Sequence, residues 1–160
     1  MSPVVYHTVM THCARQLLDL SPIGVSKFTD SVAQLLHLSL LAFMTSMLMF
    51  IGYGHYQRHE LLLQRAMAAV DDVMMDGASI DEKIDLKVLN WALHVLLLSV
   101  AEESMHPWLA PKLTYTRARL RLTSLDGVLH SLHQFPWVSV LHDNMLRSVL
   151  QTSSEVSMLL

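Results

Sequence analysis

Cysteine, glycine, proline and charged residues are all scarce in this sequence. Its 160 residues include one cysteine, five glycines and five prolines, and only 16% of them are Asp, Glu, Lys or Arg. A single Cys13 excludes an internal disulfide, so a reducing compartment is expected. Few Gly and Pro residues beside many Leu, Met and Ala favour helices. With 52% hydrophobic residues, we expect one all-α domain over residues 1–160, a compact multi-helix bundle around a hydrophobic central helix.

The sequence also lacks the positive charge that nucleic-acid binding requires. Its formal net charge is -3 with histidine neutral, whereas such binding depends on many Lys and Arg contacts to phosphates. Arg117, Arg119 and Arg121 form the one basic cluster and alternate with apolar residues. On a helix this spacing is expected to spread the arginines over the solvent side. We therefore expect no nucleic-acid partner.

No catalytic motif is present, and the histidines complete no metal motif. The chain has ten histidines, and the pairs His55 with His59 and His130 with His133 have spacings that place two ligands on one helix face. Leu63 stands where a zinc protease would need its second histidine. Nucleophile elbows and phosphate-binding glycine loops are also missing. We therefore predict neither an enzyme nor a metal, cofactor or small-molecule substrate.

Apolar periodicity predicts helices in the first half of the chain. Apolar side chains recur every three or four positions over residues 4–20 and again over 56–75, which is the spacing of one helix face. Ser79 and Glu82 have the form of a capping box, with a hydroxyl and a carboxylate three positions apart. A further helix is therefore predicted from this point to about Val88.

The second half begins with the most hydrophobic predicted helix. Residues 91–101 include almost no polar side chains and predict a central, buried helix. Pro107 and Pro111 are expected to break the chain after it, because the residue before a proline is disfavoured in a helix. Helical spacing then predicts a helix over 112–134 and a last helical region that begins near Trp137.

Residues 32–53 have two interpretations. From Ser31 to Gln57 the sequence contains no Asp, Glu, Lys or Arg, and Val32 to Ile51 is long enough for a helix that spans a bilayer. Polar residues interrupt the run, and the basic residues on its two sides balance, so no orientation signal emerges. The segment is either a buried helix of the bundle or the span of a single-pass membrane-anchored scaffold or subunit.

Residues 89–95, LNWALHV, resemble the first homology region of the Bcl family of apoptosis regulators, which usually contains Asn-Trp-Gly-Arg. Asn90 and Trp91 match that pattern, whereas Ala92 replaces the Gly and Leu93 replaces the Arg. Both matching residues make physical sense here. Asn can cap the start of the buried helix, and Trp supplies a large packing surface.

Three other segments are similar to the family's remaining homology regions and complete their order. Trp137 in FPWVSVLHD is similar to the tryptophan of the second region, without its paired glycines. Residues 48–52 followed by YGHYQRHELL are similar to the third region, with Tyr53 in place of the usual Asp. The predicted helix over residues 6–20 occupies the place of the fourth region. In layout, the resemblance spans most of the chain.

The resemblance implies an anti-apoptotic regulator that binds the amphipathic helix of pro-apoptotic relatives in a hydrophobic surface groove. It implies a cytoplasmic protein that can associate with mitochondrial or other intracellular membranes. A compact, strongly divergent member is typical of a viral mimic acting in a host–virus interaction. The residues that it assigns to the groove are Phe50, Tyr56, Val88, Leu89, Asn90, Trp91, Ala92, Leu93, Val95 and Trp137.

Leu93 is the departure with the clearest consequence. The family's Arg at this position pairs with an acidic residue of the ligand helix, and a leucine cannot form that ion pair. Lys87 and His94 are the two candidates for a replacement charge. We therefore expect weakened or altered ligand selectivity, which a Leu93→Arg substitution would change.

Overall fold

Seven helices make up the part of the chain that the structure describes, a computed structural model of residues 3–23, 25, 27–50, 59–75, 83–99 and 105–152. These ranges contain no strand. The prediction of an all-α bundle is confirmed. In chain order the helices are α1 (Pro3–Leu20), α2 (Ser31–Phe50), α3 (Glu60–Met75), α4 (Lys83–Ser99), α5 (His106–Leu120), α6 (Leu125–Leu132) and α7 (Ser139–Thr152).

Helix α4 lies at the centre and contacts α2, α3, α5, α6 and α7. Every side chain from Val88 to Ser99 is buried, as expected of a helix that is hydrophobic nearly all round. The predicted central helix is therefore confirmed, but its start was predicted wrongly. One continuous helix begins at Lys83, so Asn90 lies in its middle and does not cap it.

Helix α2 is the second buried helix and packs against α1, α3 and α4. Asp30 caps its start, because the backbone amides of Val32 and Ala33 donate to the two carboxylate oxygens over 3.3 and 3.0 Å. Of the helices that the structure describes, none combines the length and the hydropathy that a bilayer crossing requires. Residues 51–53 of the predicted span lie outside the described ranges.

Helix α1 packs against α2. It confirms the helix that was predicted over residues 4–20. Its core-facing residues recur at helical spacing and are Met10, Cys13, Ala14 and Leu17. His37 of α2 fixes the contact, because its Nε2–H donates to the carbonyl oxygen of Leu17 over 2.8 Å. The polar atoms and the apolar face therefore hold the two helices in one register.

Helix α3 packs against α2 on another side. Its buried residues also recur at helical spacing and are Leu62, Ala66, Ala69, Val70 and Val73. The helix predicted over 56–75 is confirmed from Glu60 onward. Residues 56–58 and the predicted capping box at Ser79 and Glu82 lie outside the described ranges.

Pro107 and Pro111 lie inside α5, so the prediction that they break the chain is wrong. Pro107 is in the first turn, where the backbone N–H has no intrahelical partner and proline costs little. Leu109 and Leu113 are buried on either side of Pro111, and this tertiary packing keeps the helix continuous past the missing donor.

The helix predicted over 112–134 is in fact two helices. Arg121 ends α5 in the left-handed region, with φ 57° and ψ 38°, and its amide donates to the carbonyl oxygen of Ala118 over 3.2 Å. Ser124 then caps α6, because its hydroxyl accepts the amide of Gly127 over 3.1 Å. The apolar period resumes in α6 after the turn, which is why the pattern resembled one helix.

Arg117 is buried, which corrects the expectation that all three clustered arginines face solvent. Its exposed fraction is 8%, whereas Arg119 and Arg121 are exposed. The cause is its position four residues after the buried Leu113, on the face of α5 that packs against α4. One member of the basic cluster therefore belongs to the protein interior.

Candidate functional site

The candidate site is the α4–α7 junction, where Lys87 and Trp91 of α4 meet residues 133–138 and the start of α7. Trp91 has no exposed surface, and its Nε1–H donates to the carbonyl oxygen of Pro136, 45 residues away, over 3.0 Å. The indole also stacks on Phe135, with ring centroids 5.7 Å apart. A buried indole N–H needs such an acceptor. The two tryptophan-containing segments that carry the family resemblance therefore contact each other.

Lys87, one helical turn before Trp91 in α4, also contacts the segment of residues 133–138. Four residues before Trp91, it lies on the same face of α4, and its Nζ donates to Oε1 of Gln134 over 2.6 Å. The lysine is half-buried and Gln134 is exposed. A positive charge therefore stands at the rim of the junction, next to a neutral partner that solvent can replace.

Asp143 organises the opposite side of the junction. Its Oδ1 accepts the indole N–H of Trp137 over 2.7 Å and lies 3.1 Å from Nε2 of His133. Ser139 Oγ lies 3.4 Å from that same histidine nitrogen. In a Ser–His–Asp triad the hydroxyl and the carboxylate contact opposite ring nitrogens. The arrangement therefore fixes the loop rather than activating the serine hydroxyl.

His142 connects the junction to α2. The backbone N–H of Val138 donates to Nδ1 over 3.0 Å, so the proton of the neutral ring is on Nε2, which lies 3.0 Å from Ser46 Oγ. Ser46 in turn donates to the carbonyl oxygen of Phe43 over 2.6 Å. The imidazole lies between the rings of Phe43 and Trp137, with centroids 5.3 and 4.8 Å away. Every polar atom of the ring therefore has a partner.

Behind the junction, polar side chains of α4 and α5 are buried together. His94 Nδ1–H donates to the carbonyl oxygen of Asn90 over 2.7 Å, and Thr116 Oγ1 lies 3.4 Å from Asn90 Oδ1. Among the described residues, Asn90 Nδ2 and Arg117 Nε are buried without a hydrogen-bond partner. This interface therefore keeps two donors unsatisfied.

Burial controls the protonation of both interior histidines near the site. It lowers the pKa of His94 to about 4, an effect that the hydrogen bond to Asn90 opposes and the charge of Arg117 reinforces. Burial also lowers the pKa of His142, while the backbone hydrogen bond with Val138 and the Asp143 carboxylate act in the other direction. His94 is therefore neutral at pH 7 and cannot replace the positive charge of the arginine that the family has at position 93. Lys87 is the remaining candidate for that charge.

The structure places the predicted groove residues of α4 in the core. None of them is more than 7% exposed; they are Val88, Leu89, Asn90, Trp91, Ala92, Leu93 and Val95. Trp137 is half-buried in the junction, Phe50 is the last residue of α2, and Tyr56 lies outside the described ranges. Within the described part of the chain, the segments of Trp91 and Trp137 meet at one place. The predicted groove leucines, Leu89 and Leu93, are buried and line no open groove.

Sequence reasoning missed the residues that close the junction, chiefly Phe135, Pro136, His142 and Asp143. The available signal was the segment FPWVSVLHD, in which two aromatic residues are followed within one helical turn or two by His and Asp. A buried tryptophan requires an acceptor, but sequence alone does not show which carbonyl supplies it. The chain matches no protein family, no curated protein and no solved structure.

Proposed function

We propose that this chain is an anti-apoptotic regulator that binds the amphipathic helix of a pro-apoptotic relative. The observation that supports the proposal is the contact between Trp91 and the residues just before Trp137, because these are the two segments with the most specific resemblance to the Bcl family. A helical bundle around a buried central helix is consistent with it.

The partner helix docks at the rim of the junction, beside Lys87. Phe135, Trp137 and Val138 are half-buried there and offer apolar surface next to the lysine. An amphipathic helix presents apolar anchors and charged residues at helical spacing. An acidic residue of that helix pairs with Lys87 by displacing Gln134, since a charge-assisted bond to a carboxylate is stronger than one to an amide.

Leu93 supports this surface from inside and does not touch the partner. It has no exposed surface, so a Leu93→Arg substitution places an unpaired charge in the core and unfolds the domain. That substitution therefore reports on folding and not on ligand selectivity. Lys87 is the position at which selectivity can be tested.

The first test is a titration of the full chain with fluorescently labelled pro-apoptotic helix peptides, followed by fluorescence anisotropy. We expect selective binding with Kd below about 1 μM, which corresponds to about -8 kcal/mol, and no binding of a scrambled peptide. A folded chain that binds no peptide selectively contradicts the proposal. If that chain also requires detergent to stay in solution, the membrane-anchored alternative gains support.

The Lys87→Glu variant then locates the site. It should bind the acidic-residue peptide about tenfold more weakly, the loss expected when about 1.4 kcal/mol of ion-pair energy is removed. A peptide with Lys in place of its acidic residue should regain affinity for the variant. The matched control is Lys27→Glu, an exposed lysine between α1 and α2. Equal weakening by both variants would show that the charge acts through the whole surface and not at Lys87.

A further inference from the structure

The turn between α5 and α6 contains an exposed hydroxyl that two exposed arginines precede. Ser124 lies three residues after Arg121 and five after Arg119, and Leu125 follows it. The structure exposes both arginines and the serine, whereas Arg117 of the same basic cluster is buried. The exposed part of that cluster therefore stands at a fixed spacing before one serine.

This spacing is one that arginine-directed protein kinases recognise. Such kinases present acidic side chains to the residues before the reacting hydroxyl, above all to a basic residue three positions before it. Each guanidinium binds a carboxylate through two parallel N–H donors. No other Ser or Thr in the sequence has Lys or Arg at that distance, and the exposed neighbour Thr123 has Leu120 there. The charge pattern therefore selects Ser124.

The backbone at Ser124 is already extended. Its φ of -135° and ψ of 156° lie in the β region, and α5 has ended at Leu120. A kinase binds its substrate segment in an extended form, so the two backbone hydrogen bonds that close the end of α5, donated by the amides of Arg121 and Leu122, must open. Helix ends open at far lower cost than a whole domain. The hydroxyl can therefore reach a kinase without unfolding of the core.

The groups around the hydroxyl leave room for a phosphate. Ser124 Oγ accepts the amide of Gly127 over 3.1 Å, and a Cβ on that glycine would lie only 3.3 Å from the oxygen. A phosphate oxygen can accept the same amide, and its negative charge is favourable at the N-terminal end of α6. The nearby Asp126 carboxylate is 92% exposed and lies 4.0 Å from Nη2 of Arg147, so solvent and this arginine weaken its repulsion of the phosphate. The modified serine therefore remains a helix cap.

We propose that Ser124 is a phosphorylation site for an arginine-directed serine kinase that acts on the folded chain. In the transfer, Oγ bonds to the γ-phosphorus of ATP, the bond from that phosphorus to the ADP oxygen breaks, and the hydroxyl proton goes to the catalytic aspartate of the kinase. The products are phosphoserine and ADP. None of these residues belongs to the α4–α7 junction, so the proposal goes beyond the binding function and does not depend on it.

The test uses the full chain, MgATP and the catalytic domain of an arginine-directed serine kinase. Initial rates and phosphopeptide mass spectrometry are measured on the folded protein. We expect one phosphate, on Ser124. Ser124→Asn keeps a capping side chain but lacks the hydroxyl, so it should take up none, whereas Thr123→Ala should take up as much as the wild-type chain.

Arg121→Gln then measures the recognition. Its kcat/KM should fall about tenfold, the loss expected when one ion pair with the kinase is removed. The matched control is Arg15→Gln, which removes an exposed arginine of α1 and should leave kcat/KM unchanged.

Three outcomes overturn the proposal: the folded chain takes up no phosphate on Ser124, the phosphate enters Thr123 instead, or Arg121→Gln and Arg15→Gln react at equal rates. Phosphate uptake on Ser124 only after unfolding in urea also contradicts it, because the hydroxyl would then be inaccessible in the fold. Peptide binding at Lys87 is a separate measurement, and none of these results decides it.

Discussion

Arg117 shows how one residue can act against the stability of its own fold. Burial lowers its pKa, and within the described part of the chain its Nε has no hydrogen-bond partner. Removing one guanidinium from water costs several kcal/mol unless an ion pair or hydrogen bonds compensate. Since Arg117 is 8% exposed, the apolar stem of its side chain is also buried. The unpartnered Nε therefore opposes stability, while the buried stem contributes to it.

An Arg117→Met substitution separates these two contributions. It keeps an unbranched stem and removes the charge, so we expect the free energy of unfolding to rise by about 1 kcal/mol. The pKa of His94 should rise as well, because the Arg117 charge contributes to lowering it. Urea unfolding and an NMR titration of His94 measure both quantities.

The control for this substitution is Arg119→Met on the exposed side of the same helix, which should change stability by less than about 0.5 kcal/mol. If the free energy of unfolding of Arg117→Met is lower than that of the wild-type chain by more than about 2 kcal/mol, the buried guanidinium has a partner that holds it in place.

At the scale of the helices, the end of α5 contains the one non-glycine residue of the described chain with positive φ, Arg121. A residue with a Cβ is strained in that region, and glycine is not. We expect Arg121→Gly to raise the free energy of unfolding by about 0.5 to 1 kcal/mol. Ala118→Gly, three positions earlier inside α5, should lower it by a similar amount. Chemical denaturation of the two variants decides this, and destabilisation by both would contradict the left-handed helix end.

Helix positions were predictable where the sequence carries a long one-sided or all-round apolar pattern, and helix ends were less so. The patterns around Leu17 and Trp91 identify α1 and α4 because many side chains share the signal. Neither Arg121 nor Pro111 behaves as its residue type predicts. Arg121 ends a helix without glycine. Pro111 continues a helix, because the buried neighbours Leu109 and Leu113 outweigh its local preference.

The site was predictable only as a pair of segments. Sequence resemblance selected Trp91 and Trp137, and the structure brings their segments together. The sequence resemblance could not show that Leu89 and Leu93 are covered by neighbouring helices, since a buried helix and a groove-lining helix have the same apolar composition. Nor does it indicate that Pro136, through a backbone carbonyl, is the acceptor for the indole, because that choice depends on tertiary geometry.

At the scale of the whole molecule, buried neutral histidines make stability depend on pH. The pKa of His94 is lowered from its ordinary 6.5 to about 4, so the unfolded chain binds a proton at a pH where the folded chain does not. The stabilisation is complete above about pH 6.5 and is lost progressively down to about pH 4. His142 contributes in the same direction. The folded chain is therefore expected to be most stable in neutral or weakly basic solution.

Urea unfolding at pH 7.5, 6, 5 and 4 measures this dependence. We expect the free energy of unfolding to fall by on the order of 3 kcal/mol through His94 alone. His94→Gln should flatten the curve, and His130→Gln, at an exposed position, should leave its slope unchanged. Stability that is constant from pH 7.5 to 5 would mean that His94 is accessible to protons in the folded chain.

The central place of α4 also has a consequence for synthesis of the chain. Its partners α2 and α3 precede it, whereas α5, α6 and α7 follow it, so half of its covering does not exist when α4 is translated. Until the last helices are made, Leu93 and Leu96, which have no exposed surface in the finished fold, remain open to other apolar chains. The nascent chain is therefore a natural client for chaperones near the ribosome until α7 has been translated.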